Sequence, residues 1–346
     1  MKKNENYIQR CFDLSKLGIG HVSPNPPVGA VLVYQDKIIG EGYHKAYGLA
    51  HAEVNALNSV AKHNRHLIPK STLYVSLEPC SITGKTPPCT TLIIQNDIKE
   101  VVFSAIDYTP GVFQKSQQIL TSNDIKVKQG ILAKEGQKIS AIREKIIHGN
   151  YPYVILKYAQ TKDYFIGKKN NKQFWISNAF TKRLVHKWRS EVDAILVGTH
   201  TALIDNPTLT TRYYFGKSPV RVLIDRQLSV PDHYNIFNGQ AKTLVFNQLK
   251  NNVKQNITWI KLDFSQPILP QLLRHLHQEN IASLLVEGGA KTLQAFIDQN
   301  LWDEARITTG NKYLKDGIPA PAINSTSDHS IQIADDKIDF FYNSSN

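Results

Sequence analysis

Several features that would place this 346-residue chain in a special class of protein are missing from it. Three cysteines are too few for a disulfide framework, which indicates a reducing compartment where thiols stay free or bind metal. No apolar run approaches the roughly 18 residues that a membrane span requires, and the polar first residues lead us to expect no signal peptide. With 41% apolar and 20% charged residues, disordered and collagen-like classes are unfavoured. We therefore expect a cytoplasmic globular protein with no membrane partner, and its length predicts two domains.

The charge balance indicates an anionic partner. Lys and Arg number 41 against 29 Asp and Glu, so the formal net charge is +12. A basic protein attracts nucleic acid, anionic lipid or phosphorylated metabolites. The basic residues form short scattered clusters, such as 168–169 and 182–183, whereas nucleic-acid binders usually carry dense basic blocks. We therefore expect a small phosphorylated ligand first and nucleic acid second.

Apolar runs that alternate with helical patterns predict an α/β fold in the first half of the chain. A helix predicted at 134–148 ends before Gly149, and this end marks a domain boundary. We therefore place one domain at residues 1–147 and a second at 151–346. The predicted strands are 28–34, 37–40, 72–76 and 101–105, and the other predicted helices are 52–61, 90–95 and one that contains 119–120.

The second half repeats the α/β pattern. Its predicted strands are 153–158, 194–197, 220–224, 243–246 and 283–286, and its predicted helices are 178–189, 269–279 and 291–299. The polar segment 247–256 predicts a surface loop, and the polar tail from about Ser325 matches no pattern. No G-x-G-x-x-G follows any of these strands, so a standard dinucleotide-binding fold is not supported.

The strongest chemical pattern is H-A-E at 51–53, followed by P-C at 79–80 and P-C at 88–89. His51, Cys80 and Cys89 supply three ligands for tetrahedral Zn²⁺ and leave a fourth position open to water, whose pKa the metal lowers towards about 7. Glu53 is not needed as a ligand, and its carboxylate can pass the water's proton to a leaving amine. The prolines predict that each cysteine opens a helix, where thiol pKa values are depressed. A closed structural site with His44 as fourth ligand is the alternative, and it leaves Glu53 unexplained.

This pattern resembles the zinc-dependent deaminase superfamily. Nucleic-acid deaminases of that superfamily typically have two residues between the cysteines, whereas eight intervene here, at 81–88. That insertion, with S-P-N-P-P-V-G-A at 23–30 and G-E-G-Y-H at 40–44, resembles the deaminase half of the bifunctional riboflavin-biosynthesis (RibD) family. The resemblance implies a cytidine-deaminase-like three-layer domain that removes an exocyclic amine from a diaminopyrimidinone carrying ribose 5-phosphate. It places Asn25 and His44 in the pyrimidine pocket and Lys85 near the phosphate.

The second half carries motifs that suit phosphate. The E-G-G turn at 287–289 follows a predicted strand and precedes a predicted helix, so its glycines allow a phosphate to approach the helix N-terminus; such turns also hold glycine for steric reasons alone. Arg189 and Arg212 suit bidentate phosphate contacts, although exposed arginines are the commoner case. Trp175 could equally be a core residue, and 205–207 could be a simple turn.

Taken in order, these motifs resemble the reductase half of the same family. The resemblance implies a dihydrofolate-reductase-like fold that uses NADPH to reduce the ribosyl group to a ribityl group. It implies that Lys157 helps to protonate the opening sugar, and the family usually has Gly where this chain has Tyr164, close to the expected nicotinamide. The implied cofactor contacts are Ala159, Trp175, Thr201, Asp205, Arg226 and Gly289, and the implied substrate contacts are Gln173, Arg189, Leu209, Arg212 and Glu287.

The sequence thus favours a two-step enzyme with Zn²⁺ and NADPH as cofactors, which the resemblance suggests is a dimer or tetramer. The first alternative is a nucleic-acid or nucleoside deaminase with a basic accessory domain, but aromatic residues that interleave with basic ones to stack bases are lacking. The second alternative is a zinc-stapled interaction module without activity, against which Glu53 argues.

Overall fold

The chain forms two compact units, Met1–Gly149 and Asn150–Asn346, and the predicted boundary at residues 147–151 spans this division. The computed structural model describes residues 2–170 and 173–343. Within these residues no helix has both the length and the apolar character that crossing a membrane requires.

The first unit is a sheet with helices on both faces. Its strands are β1 (Gly29–Tyr34), β2 (Lys37–Tyr43), β3 (Thr72–Leu77), β4 (Glu100–Ala105) and β5 (Lys126–Gln129), and its helices are α1 (Lys2–Lys16), α2 (Ala52–Ser59), α3 (Cys89–Gln95), α4 (Lys115–Thr121) and α5 (Ala133–His148). The strand order is β2-β1-β3-β4-β5. β1 pairs antiparallel with β2 and β3, whereas β3, β4 and β5 are parallel.

Alternation along β1 divides the core of this unit into two layers. Ala30 and Leu32 face a cluster that includes apolar residues of α2, α3 and α4, and Val31 and Val33 face α1 and α5. Successive strand side chains point to opposite faces of a sheet, so a continuous apolar strand such as β1 must be covered on both sides. This is the three-layer arrangement expected of the deaminase half.

The second unit is built on a ten-stranded sheet, mostly parallel. Its strands are β6 (Tyr153–Gln160), β7 (Phe165–Gly167), β8 (Ala194–Gly198), β9 (Val220–Ile224), β10 (Thr243–Asn247), β11 (Asn252–Lys254), β12 (Ile257–Lys261), β13 (Ser283–Val286), β14 (Glu304–Thr309), β15 (Ile318–Pro319), β16 (His329–Ile333) and β17 (Asp336–Tyr342). Its helices are α6 (Ala179–Glu191), α7 (Thr199–Asp205), α8 (Ile268–Gln278) and α9 (Ala290–Asp298).

The order of the large sheet brings the strand ends that carry the predicted motifs together. The order is β11-β12-β10-β9-β8-β13-β6-β14-β17-β16, with β7 and β15 forming a separate small sheet. The strands from β12 to β14 run parallel to one another. The carboxyl ends of β8, β9 and β13 therefore lie at one edge, followed by α7, Asp225 and the 287–289 turn respectively.

One sequence prediction about this unit is wrong, and a tail for which the sequence predicted no element proves to be part of the sheet. The segment 247–256 is not simply a loop, since β10 includes Asn247 and β11 lies within it. The polar tail is not structureless, because β16 and β17 form a hairpin and β17 pairs along the whole of β14. Ile338 is fully buried and packs near Val185 and Trp188 of α6, so a few apolar residues hold a largely polar segment in the sheet.

Candidate functional sites

His51, Cys80 and Cys89 come together in the first unit. Their ligand atoms all lie within 4.8 Å of one another, and His51 Nδ1 is 3.5 Å from Cys80 Sγ and 3.3 Å from Cys89 Sγ. Bonds of about 2.3 Å to sulfur and 2.0 Å to nitrogen around a tetrahedral zinc ion place those atoms about 3.5 Å apart. The donor set and its spacing therefore fit Zn²⁺.

The fold supplies each ligand from a different element. His51 caps α2 at its N-terminus, Cys80 lies three residues beyond β3, and Cys89 is the first residue of α3. The prediction that both cysteines open helices is thus right for Cys89 and wrong for Cys80, which lies in irregular chain. The pKa of Cys80 is therefore not lowered by a helix N-terminus. Hydrogen bonds with the Cys89 thiol and the His51 ring lower it to about 4 in spite of the burial of Cys80.

The imidazole of His51 is oriented by a residue that sequence reasoning did not single out. Thr86 Oγ1 lies 3.2 Å from His51 Nε2, so Nε2–H can donate to the hydroxyl while Nδ1 faces the two sulfurs. Such a partner on the far ring nitrogen fixes the tautomer that a metal ligand needs. The position of Thr86 in the eight-residue insertion between the two cysteines was the one feature of the sequence that could have indicated this role.

Glu53 lies in the first turn of α2, two residues after His51. It is 3% exposed and lines the same cavity as His51 and Cys80. Burial raises the pKa of Glu53 above its ordinary value, which suits a carboxyl that both accepts and returns a proton near neutral pH.

Asn25 and His44 form a hydrogen-bonded pair on the wall of this cavity. His44 Nδ1 is 3.1 Å from the Ala50 carbonyl, which only accepts, and His44 Nε2 is 3.2 Å from Asn25 Nδ2. The ring is therefore neutral with its proton on Nδ1, and burial lowers its pKa. Because both of its nitrogens are engaged, His44 does not serve as a fourth ligand in this arrangement.

The cavity beside the cluster has a volume of about 440 Å³. Its wall includes the cations Lys85 and Arg143 and the carboxylates Glu78 and Asp107 in addition to the residues above. A pocket of this size suits a small ligand.

The second unit holds a cavity of about 500 Å³. Nine of the predicted reductase residues line it: Gln173, Trp175, Arg189, Thr201, Asp205, Leu209, Arg212, Glu287 and Gly289. Lys157 lines it as well. The structure thus brings together predicted residues that are up to 132 positions apart in sequence, from Lys157 to Gly289.

A buried ion pair stands in this second cavity. Arg189 Nε and Nη2 donate to the two Glu287 carboxylate oxygens at 2.9 and 2.8 Å, and Arg189 Nη1 donates to the Thr210 carbonyl at 3.3 Å. Lys157 Nζ lies 4.0 Å from Glu287 Oε2, and burial lowers the pKa of Lys157. Arg189 is therefore a paired, buried residue rather than an exposed arginine.

The glycine turn fits a cofactor phosphate. Gly289 caps α9, and a Cβ added at Gly289 would lie 3.0 Å from Thr201 Oγ1. The bare backbone thus leaves room between the turn and α7, at a helix N-terminus whose free N–H groups favour an anion. Trp175 is 55% exposed, which excludes the core alternative, and Asp205 ends α7 rather than forming a simple turn.

Two predicted cofactor residues do not line the cavity. Ala159 lies in β6 opposite Thr308 of β14, and Arg226 packs over Phe264 and donates to Gln248 Oε1 at 2.8 Å. Arg226 nevertheless follows the carboxyl end of β9, and the preceding Asp225 accepts a hydrogen bond from Thr199 at 3.2 Å. Arg226 therefore lies at the same edge of the sheet as the 287–289 turn, outside the cavity itself.

Sequence reasoning missed two residues of the second cavity. His186 is buried with its Nδ1 unpartnered in the described structure, and burial together with Arg189 and Arg212 lowers its pKa to about 4. Lys182 Nζ lies over the Trp175 ring at 4.4 Å and over the Tyr213 ring at 4.8 Å. Both lie on α6, three and seven residues before Arg189. Residues at this spacing share one face of a helix, so the predicted position of Arg189 could have indicated them.

Two family descriptions match the two halves. Residues 1–105 match the cytidine and deoxycytidylate deaminase zinc-binding region, and residues 152–315 match the RibD C-terminal domain.

Whole-length relatives agree with both matches. The riboflavin biosynthesis protein RibD of Aquifex aeolicus is 33% identical over 91% of this chain and 89% of its own length, and that of Bacillus amyloliquefaciens is 35% identical over 87% and 82% respectively. A crystal structure from Thermotoga maritima, described as a diaminohydroxyphosphoribosylaminopyrimidine deaminase/5-amino-6-(5-phosphoribosylamino)uracil reductase, is 32% identical with a TM-score of 0.90 and 99% of each chain covered. The chain therefore belongs to the RibD family, with a zinc-binding deaminase half and an NADPH-dependent reductase half.

Proposed function

We propose that this chain is a bifunctional enzyme of riboflavin biosynthesis. It deaminates 2,5-diamino-6-ribosylamino-4(3H)-pyrimidinone 5′-phosphate and then reduces the ribosyl group of the product to give 5-amino-6-(5-phosphoribitylamino)uracil. The observation that carries the proposal is the presence of two chemically different cavities in one chain. One adjoins a His–Cys–Cys cluster and a buried glutamate, and the other holds a buried Arg–Glu–Lys group beside a glycine turn.

In the first reaction, water replaces an exocyclic amino group and ammonia leaves. His51, Cys80 and Cys89 would hold the zinc ion, which when bound would make hydroxide available at neutral pH. Glu53 accepts the proton of the attacking water and delivers it to the leaving nitrogen. The neutral His44 and Asn25 hold the pyrimidine, and Lys85 is the residue that the family resemblance places near the phosphate.

In the second reaction, NADPH bound in this cavity would supply the hydride that reduces the sugar C1′, and the opening ring oxygen would take a proton. Trp175, Thr201, Asp205 and the backbone at Gly289 orient the cofactor. Arg212, Leu209 and Gln173 bind the substrate. The Arg189–Glu287 pair fixes the cationic Lys157 beside the reacting sugar, and Lys157 is the group that supplies the proton.

Two measurements test the proposal on the purified full-length protein. Incubation with the diaminopyrimidinone phosphate and NADPH should release ammonia and oxidise NADPH in equal amounts. Absence of both would refute it. The small-molecule assignment is further supported by relatives that match across about nine-tenths of the chain.

We also propose that the protein is a homo-oligomer, a dimer or tetramer, and that it works in the cytoplasm. The oligomer rests on the family resemblance, and the compartment rests on the need for reduced Cys80 and Cys89, which are free thiols in the structure. Light scattering coupled to gel filtration tests the oligomer, and a monomeric mass would contradict it.

A further inference from the structure

A cation in the deaminase cavity carries a donor that nothing in the protein satisfies. Arg143 lies on α5 and lines the cavity. Its Nη2 donates to Thr109 Oγ1 at 3.2 Å. Its Nε is shielded from solvent and has no hydrogen-bond acceptor among the described residues. A buried N–H without an acceptor is costly, so this guanidinium is prepared for an acceptor that the protein itself does not supply.

The position of Arg143 is set by the sheet. Glu78 N–H donates to the Ala105 carbonyl at 2.9 Å, which joins the carboxyl ends of β3 and β4. Cys80 follows β3, whereas Thr109 follows β4, in a turn where Thr109 N–H donates to Asp107 Oδ1 at 2.8 Å. Neighbouring strands lie about 4.8 Å apart. Arg143 is thus anchored one strand away from the metal cluster, on the side of β4.

The charges around the cavity favour this place for an anion. Glu53, Glu78 and Asp107 also line this cavity, and Asp107 accepts a hydrogen bond from Thr109 N–H, so a bound phosphate needs a cation that offsets these carboxylates. Besides Arg143, the lining contains one further Lys or Arg, Lys85, whose Nζ lies 4.1 Å from the centre of the Tyr47 ring. The partner of Arg143 in the described structure is a neutral hydroxyl, so its charge is left for a ligand.

We infer that Arg143 binds the 5′-phosphate of the deaminase substrate. Nε–H and an Nη–H lie on one edge of the guanidinium plane, a geometry that matches two phosphate oxygens. Thr109 acts as a positioning residue that holds the fork. Arg143 thereby makes the first reaction selective for the phosphorylated pyrimidine over its dephosphorylated form. This inference rests on the proposed function and adds a residue that recognises the phosphate of the substrate.

The test compares phosphorylated and dephosphorylated substrate on three full-length proteins: wild type, Arg143→Gln and Lys134→Gln. Lys134 is an exposed residue of the same helix and loses the same charge, so it is the matched control. Charge-assisted hydrogen bonds of this kind predict that Arg143→Gln raises the KM for the phosphorylated substrate about 10- to 100-fold. The kcat should stay within about threefold, and turnover of the dephosphorylated substrate should not change. Arg143→Lys should restore part of the loss.

Each other outcome has a meaning. An unchanged KM, or equal losses on both substrates, overturns the role of Arg143. Bound zinc and turnover of the dephosphorylated substrate, measured on the same variant, show whether the deaminase half is folded. If the wild type itself fails to deaminate the phosphorylated substrate, the proposed function falls. If the wild type is active and Arg143→Gln matches Lys134→Gln, only this inference falls.

Discussion

Single residues decide the chemistry of the first cavity, and Glu53 is the clearest case. Its carboxyl is 3% exposed and stands two residues from His51 at the start of α2. A buried carboxylate destabilises a fold unless a partner compensates its charge. The side chains next to Glu53 are the predicted metal ligands. Its place is explained by proton transfer rather than by folding.

Replacing Glu53 by Gln keeps the shape and removes the titrating group. We expect the deaminase kcat to fall about 10²- to 10⁴-fold, the range typical of a lost general acid–base, because the amide cannot accept the proton of the water and return it to the leaving nitrogen. Bound zinc, measured by elemental analysis, should remain at one per chain, and the reductase rate should be unchanged. Deaminase activity equal to that of the wild type would remove Glu53 from the mechanism.

Tyr164 shows a different residue-scale effect, on backbone strain. Its φ is +61°, a left-handed conformation that costs a non-glycine residue about 1–2 kcal/mol. Its N–H donates to the Thr161 carbonyl and its own carbonyl accepts from Ala320 N–H, so the turn is held in place. The side chain is 68% exposed and does not line the second cavity. The side chain therefore points away from the cavity that the predicted cofactor residues line.

The strain makes a prediction about stability. Tyr164→Gly should change the free energy of unfolding by less than about 1 kcal/mol, since relief of strain offsets the greater freedom of glycine in the unfolded chain. Tyr164→Val should destabilise by about 1–2 kcal/mol, because a branched side chain fits this region worst. Tyr313→Val, at another exposed tyrosine, should stay within about 0.5 kcal/mol. Urea unfolding measures all three, and equal effects of the two valine variants would contradict the argument.

At the scale of elements, the Arg189–Glu287 pair joins α6 to the end of β13. Burial alone would raise the pKa of Glu287, but Arg189 and Lys157 outweigh it and lower the pKa to about 2. A carboxyl whose pKa is depressed in the folded state stabilises the fold at pH values above its unfolded pKa of about 4.3. That contribution is lost as the pH falls from about 4.3 towards 2.

We therefore expect Glu287→Gln to destabilise the protein by about 3 kcal/mol at pH 7, because it leaves Arg189 buried without its partner. The difference between variant and wild type should shrink as the pH falls below about 4.3, where the wild-type carboxyl begins to take up a proton. Urea unfolding at pH 7, 5 and 3.5 measures it. If the difference in unfolding free energy between variant and wild type stayed constant over this pH range, the Arg189–Glu287 ion pair would not be the cause of the destabilisation.

Elements whose signal is local could be predicted from the sequence, and elements that depend on distant partners could not. Continuous apolar runs such as 194–197 and 284–286 matched buried parallel strands, because burial on both faces needs no alternation. β17 was missed because only part of it is apolar, and its partner β14 lies about thirty residues away. A strand of that kind is specified by its neighbour rather than by its own composition.

The same division holds for the sites. Ligands in recognisable spacing, such as His51, Cys80 and Cys89, were predicted together with the zinc that the family uses. Arg143 could not be predicted, since only the packing of α5 beside the turn after β4 brings it to the cavity. His186 lies on the same helix as Arg189, but its place beside Arg212 depends on a cavity formed by segments far apart in sequence.

At the scale of the whole molecule, the two chemistries depend on different parts of the chain. Every lining residue of the first cavity lies between Asn25 and Arg143, and every one of the second lies between Lys157 and Ile318. The net charge of +12 is consistent with ligands that all carry phosphate. Each half therefore has its own residues for its own reaction, and the two activities should be separable by treatments that act on one site alone.

Removal of zinc is such a treatment. A chelator should abolish ammonia release, because Glu53 then has no activated water to deprotonate, while oxidation of NADPH by the deaminated intermediate should continue at the original rate. The apo protein should also unfold at a lower temperature, since a metal bound only to the folded state stabilises it by mass action. Zinc added back should restore ammonia release, whereas magnesium, which prefers oxygen ligands, should not. Parallel loss of both activities on chelation would mean that the reductase half also depends on the metal cluster, which the separate linings of the two cavities argue against.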